Sequence, residues 1–205
     1  MRILDTSQFV SERMKFRPVT NAEWEQVHDN IVPKYKYFPK TKLELRRLIQ
    51  DIMSRKGTNC DLNDIDVTEI TDMSYLFADK DERCIPFNDI VCEFHGDISK
   101  WDVSKVTNMN SMFWGARSFN CNISEWDVSN VTNMEGMFCQ ATKFNQNISH
   151  WKTSSVVDMS YMFQNASSFN QDLSGWNVKN VQCYTLIFMD SPLKNSPDKW
   201  PHFAE

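Results

Sequence analysis

Trp101, Trp126, Trp151 and Trp176 recur at an interval of 25 residues, and most of what surrounds them recurs too. A period of this length marks a unit that cannot close a core alone. Stacked neighbours bury a continuous one instead. Three units run WDVSKVTNMNSMFWGARSFNCNISE, WDVSNVTNMEGMFCQATKFNQNISH and WKTSSVVDMSYMFQNASSFNQDLSG. A fourth opens with WNVKNVQCYTLIFMDSP and then loses the pattern. An earlier unit, IDVTEITDMSYLF, has Ile65 in the tryptophan place and carries an 11-residue insertion within 78–93.

Apolar spacing inside a unit suggests its local structure. Ile98, Trp101, Val103 and Val106 follow the L-x-x-L-x-L spacing of a leucine-rich-type repeat, whose L-x-L core is a short strand. Met109, Met112, Phe113 and Ala116 stand at i, i+3, i+4 and i+7, one face of a short helix. Thr132 and Glu135 have capping-box spacing for its start. The expected fold is therefore α/β: a right-handed, leucine-rich-repeat-like solenoid of about five strand–helix coils with a helical N-terminal cap.

The ends of such a stack need covers. Thr41-Lys-Leu-Glu44 is a capping box ahead of Leu45, Leu48, Ile49, Ile52 and Met53, so a capping helix is expected within 34–58, ending near Gly57. Lys42, Arg46, Arg47, Arg55 and Lys56 read as its wet, solvated side. Repeats fill 59–190, and 191–205 form a C-terminal cap in which Trp200 and Phe203 fold back over the last coil. Residues 1–33 lie outside the pattern as an arm or helical extension. There Thr20-Asn-Ala-Glu23 precedes Trp24, Val27 and Ile31 on one helical face.

Charge and cysteine content narrow the function classes. The net charge is −5; residues 1–60 carry +5 and the remainder −10. Phosphate binding needs a basic surface, so nucleic acid is not the expected partner. No apolar run reaches the length of a transmembrane helix. The opening MRILDTSQFV lacks the apolar stretch of a secretory signal, which predicts a cytoplasmic protein with reduced thiols. Cys60, Cys84, Cys92, Cys121, Cys139 and Cys183 contain no C-x-x-C pair, so no zinc site is expected. Sequons such as Asn122-Ile-Ser follow from the repeat consensus and carry no weight without secretion.

Residues between inward positions of a strand point outward. The expected partner-binding face is Asp64, Asp66, Lys100, Asp102, Glu125, Asp127, His150, Lys152, Asn177 and Lys179, acidic over the first three coils and neutral to basic over the last two. A second candidate surface is the insertion, with Asp79, Asp81, Glu82 and Arg83. The tryptophans and the Met and Phe of M-x-x-M-F read as core rather than as a carbohydrate or metal site. Asn120, Asn145 and Asn170 read as a ladder bonding the turn backbone. His28, His95, His150 and His202 have no paired-ligand spacing, and no phosphate-binding or nucleophile motif is present. No catalytic residue, metal or cofactor is expected.

The motif W-D-V-S-x-V-T-x-M-x-x-M-F-x-x-A-x-x-F-N-x-x-I-S resembles the BspA-like bacterial surface-protein repeat, a family noted in mycoplasma surface lipoproteins and of unknown function. The resemblance spans roughly 59–190 and implies an interaction or adhesion role with no catalytic residues. The leader ILDTSQFVSERMKFRPVTNAEWEQV looks similar to leaders on small proteins of gut bacteria and their phages. The leading expectation is a non-enzymatic protein–protein interaction module. The alternative is a structural or accessory component of a phage or cell-envelope assembly anchored through 1–33. A hydrolytic enzyme using the face carboxylates comes third.

Overall fold

The computed structural model describes residues 34–79 and 89–203. The helix expected after Thr41 is present as α1, Lys42–Lys56. Thr41 Oγ1 accepts from the Glu44 N–H at 3.2 Å, and Glu44 Oε2 accepts from the Lys40 N–H at 2.7 Å. These bonds satisfy donors that a helix start leaves unpaired. Gly57, at φ 84°, ends the helix with its N–H on the Met53 carbonyl. Leu45, Leu48, Ile49, Ile52 and Met53 are buried against the first repeat.

The strand–helix coil does not form, and the expected α/β leucine-rich-type solenoid is corrected here. Among the described residues α1 is the sole α-helix, and β pairing is limited to isolated parallel bridges. One set of bridges runs Asp72, Asn108, Asn133, Asp158, Cys183, so successive units do stack in register. Each unit is a chain of turns.

Hydrogen bonds explain why. Met109, Ser111, Phe113 and Gly115 donate their N–H groups sideways, to the Asn133, Glu135, Met137 and Cys139 carbonyls of the next unit, at 2.7–2.9 Å. The intervening Met112, Trp114 and Ala116 N–H groups turn back three residues, to Met109, Ser111 and Phe113. No α-helix can send alternate N–H groups to a neighbour. The alternation needs left-handed residues, and Ser111, Gly136, Tyr161 and Leu186 (φ 52–60°) occupy one such place. Gly115, Gln140, Asn165 and Asp190 (φ 55–70°) occupy the other. Inward spacing is the same for a helix and for this turn run, so Met109, Met112, Phe113 and Ala116 are buried as expected.

The expected strand fails because side chains take its N–H groups. Asp102 Oδ1 accepts from the Ser104 N–H at 3.1 Å, and Asp127 Oδ1 does the same for Ser129. Asp97, Asn122, Asn147 and Asp172 close a corner on Ser99, Ser124, Ser149 and Ser174 at 2.8–3.0 Å. Asn108, Asn133 and Asp158 close a third on Asn110, Glu135 and Ser160. Side chains that bond the backbone two residues on compete with strand pairing. Asn133, not Thr132, therefore opens the turn run where a capping box was expected.

Two columns of phenylalanine form the centre. Phe77, Phe113, Phe138, Phe163 and Phe188 stack at 5.3–6.0 Å between ring centroids. Phe119, Phe144 and Phe169 stack at 5.6–5.8 Å. Within a unit the columns meet at 3.9–4.1 Å. The repeat tryptophans Trp101, Trp126, Trp151 and Trp176 are core, and each indole N–H donates to the preceding unit, as Trp126 does to Ile98 O and Trp151 to Ile123 O. A buried indole donor requires such a partner.

The two ends are closed differently. At the N-terminal end Lys42 Nζ donates to Asp72 Oδ2 at 2.6 Å and to Ser74 Oγ at 2.7 Å. Arg46 donates to the Tyr75 carbonyl and, at 2.9 Å, to the Leu76 carbonyl. These basic residues of α1 seal the first unit's open edge, which corrects their reading as a solvated face. At the other end Trp200 packs on Phe188, Phe203 stacks on Tyr184, and the Lys199 carbonyl accepts from the Leu173 N–H.

Candidate partner-binding face

All ten expected face positions lie at the surface. Asp64, Lys100, Asp102, Glu125, Asp127, His150, Lys152, Asn177 and Lys179 are exposed, and Asp66 is half-buried. They belong to turn corners rather than to a strand, and their regular placement comes from stacking the units in register.

The carboxylates at this corner have a structural task. Asp102 Oδ1 accepts from both the Ser104 N–H and, at 2.6 Å, the Ser104 hydroxyl. Asp66 Oδ1 accepts from the Thr68 N–H at 3.0 Å and the Thr68 hydroxyl at 2.7 Å. Asn177 keeps the same bond to the Lys179 N–H at 3.3 Å, so an amide can replace the acid here. The Ser104 hydroxyl, then its N–H, hold Asp102 below the usual carboxylate range, with Lys34 and Lys105 acting in the same direction. The Ser129 hydroxyl and N–H do this for Asp127, with Lys152 nearby. Both groups are therefore anions at neutral pH. One oxygen of each is engaged by the turn, and the other has no hydrogen bond among the described residues.

Asn120 Oδ1 accepts from the Asn145 N–H, and Asn145 Oδ1 from the Asn170 N–H, each at 3.0 Å. The asparagine ladder thus bonds the backbone of the next unit. Gln146 and Gln171 reinforce it, and Lys199 Nζ closes it on Asn170 Oδ1 at 3.0 Å.

Of the second surface, Asp79 is a rung of the stack. Its N–H donates to the Trp114 carbonyl at 2.8 Å, and its Oδ1 lies 3.7 Å from the Cys92 sulfur. Asp81, Glu82 and Arg83, like Cys84 and residues 1–33, lie outside the described residues. Cys60, Cys121, Cys139 and Cys183 are free thiols. Burial pushes Cys92, Cys121 and Cys139 up to about 11. No group of His, Cys, Asp or Glu among the described residues is arranged to hold a metal ion. No described helix is long and apolar enough to cross a membrane.

Sequence reasoning missed Lys42 and Arg46 as edge-sealing groups. Their acceptors lie 29–32 residues away in the chain, and no local pattern marks them.

No curated protein and no solved structure matches the chain. A family model described as "Mycoplasma protein of unknown function, DUF285" matches residues 82–200, more than half of the chain. That span holds the three full repeats and the fourth, whose turns, corners and aromatic columns are described above. The chain belongs to this mycoplasma-type repeat family of unknown function.

Proposed function

We propose that this protein is a non-enzymatic binding module whose corner carboxylates Asp66, Asp102 and Asp127 engage a basic surface on a protein partner. One observation carries the reading: the same corner in three successive units presents an acid whose Oδ1 is fixed by its own turn. A row of immobilised anions loses little side-chain freedom on binding. It also sets register and encounter rate with a cationic partner. Acid–base catalysis works best with a pKa near the working pH, whereas Asp102 and Asp127 are held low. At the finer level the repeat is read as the BspA-like type, on its W-D-V-S-x-V-T-x-M-x-x-M-F motif. The alternative of an anchored assembly component relies on residues 1–33, outside those described.

The test is a triple substitution, Asp66→Asn, Asp102→Asn and Asp127→Asn. Asparagine keeps the turn bond, as Asn177 does, and removes the charge. A partner held by the natural chain from source-cell lysate, and lost by the triple variant at unchanged thermal stability, supports the acidic row. Equal capture by both proteins overturns it.

A further inference from the structure

The last unit carries a row of backbone donors with no acceptor among the described residues. In the preceding unit Met159, Tyr161, Phe163 and Asn165 donate to the Cys183, Thr185, Ile187 and Met189 carbonyls at 2.8–2.9 Å. The corresponding donors one unit on are the N–H groups of Tyr184, Leu186, Phe188 and Asp190, and none has an acceptor among the described residues. Thr185 N–H has no acceptor among the described residues either, because Cys183 replaces the Asn or Asp that closes this corner in earlier units. Above this edge Tyr184, Leu186 and Met189 are 40%, 48% and 37% exposed. The C-terminal segment places Phe203 on the Tyr184 ring and Trp200 on the Phe188 ring and bonds Asn170 and Leu173, but supplies no acceptor to these N–H groups. Unpaired edges of this kind template further pairing.

The polarity of the edge selects its occupant. It offers four N–H groups on alternate residues and one outward acceptor, the Gln182 carbonyl. The equivalent Thr132 carbonyl accepts from Val157 and Asp158 of the following unit. Two such tails cannot pair, since donors would face donors. The head of a second copy has α1 laid along it, with Arg46 on the Leu76 carbonyl and Lys42 on the Asp72 and Ser74 side chains, and so does not present four free carbonyls. What fits is a backbone with four carbonyls on alternate residues, as the first turn run of a repeat would present if no helix capped it. We propose that the Gln182–Asp190 edge docks an uncapped repeat of this type on another protein, a surface distinct from the acidic row.

The full chain is titrated with a free peptide of residues 126–150, with a scrambled peptide as control, and its amides are followed by NMR and hydrogen exchange. The expected result is saturable shifts at Tyr184, Leu186 and Asp190, with exchange at these amides slowed at least tenfold. Leu186→Asp, an exposed position, weakens binding at least tenfold while the Trp indole signals stay unchanged. The triple asparagine variant of the acidic row still binds the peptide, which separates this edge from that reading. Absence of saturable shifts, shifts centred on the acidic row, or self-association of the chain alone overturns the proposal.

Discussion

The two ends of the stack face the same physical problem and solve it to different degrees. At the first unit the outward groups are acceptors, and a helix brings cations to that edge: Arg46 to the Leu76 carbonyl and its neighbour Tyr75, Lys42 to the Asp72 and Ser74 side chains. At the last unit the outward groups are donors, and the covering segment brings rings to the Tyr184 and Phe188 side chains and a lysine to Asn170, none of which accepts from those donors. The turn runs thus have a direction, with their alternate side-bonding N–H groups, from Met73 to Asn165, aimed toward the C-terminal end. Long basic side chains suit one end and cannot serve the other.

The largest effect is expected beside the closed end. A Cβ at Gly96 would lie 1.9 Å from the Cys60 carbonyl oxygen, and the contact is backbone against backbone. Gly96→Ala therefore costs about 3 kcal/mol or more, measured by urea unfolding. Arg46→Ala leaves carbonyls without their cation and costs about 1–3 kcal/mol by the same measurement. Leu186→Ala at the open end changes stability by about 0.5 kcal/mol or less. Equal costs for these last two would erase the contrast between the ends.

The closed end is also acid-sensitive. Burial works against ionisation of Asp72, but the Lys42 and Ser74 hydrogen bonds outweigh it and hold its pKa below the usual carboxylate value. A depressed carboxylate contributes stability that is complete above its unfolded pKa and is lost as pH falls through the folded one. Thermal stability should therefore fall from about pH 4 downward, and Lys42→Met should flatten that part of the profile. An unchanged profile in the variant would remove Lys42 from the account. The smallest contrast is chemical: Cys183, exposed on the open edge, should react with a maleimide far faster than Cys121 or Cys139, whose thiols sit near 11. Comparable labelling rates in the folded protein would contradict the burial of the inner thiols.

Much of the core was legible in the sequence because period and inward spacing report burial directly. Trp101, Met109, Phe113 and Phe119 are buried where the pattern puts them, and α1 begins at its Thr41 cap. Secondary structure was misread because the spacing of Met109, Met112, Phe113 and Ala116 suits a short helix and a turn run alike. The deciding signals were present but local: Gly115, Gly136 and Asn165 at left-handed places inside the supposed helix, and Asn or Asp at all three corners of the first three units. Glycine costs about 1 kcal/mol in a helix interior, which argues for the turn. The face positions were legible as outward, but the structural task of Asp102 and Asp127 was not. It depends on which backbone groups a neighbouring turn leaves free.

Amide-resolved hydrogen exchange of the natural chain tests the directional stack most directly. Met159, Tyr161, Phe163 and Asn165 should exchange roughly a hundredfold more slowly than Tyr184, Leu186 and Asp190, which occupy the same repeat positions one unit later. Equal protection at the two sets would mean that the last unit's donors are already satisfied, and the account of an open C-terminal edge would fail.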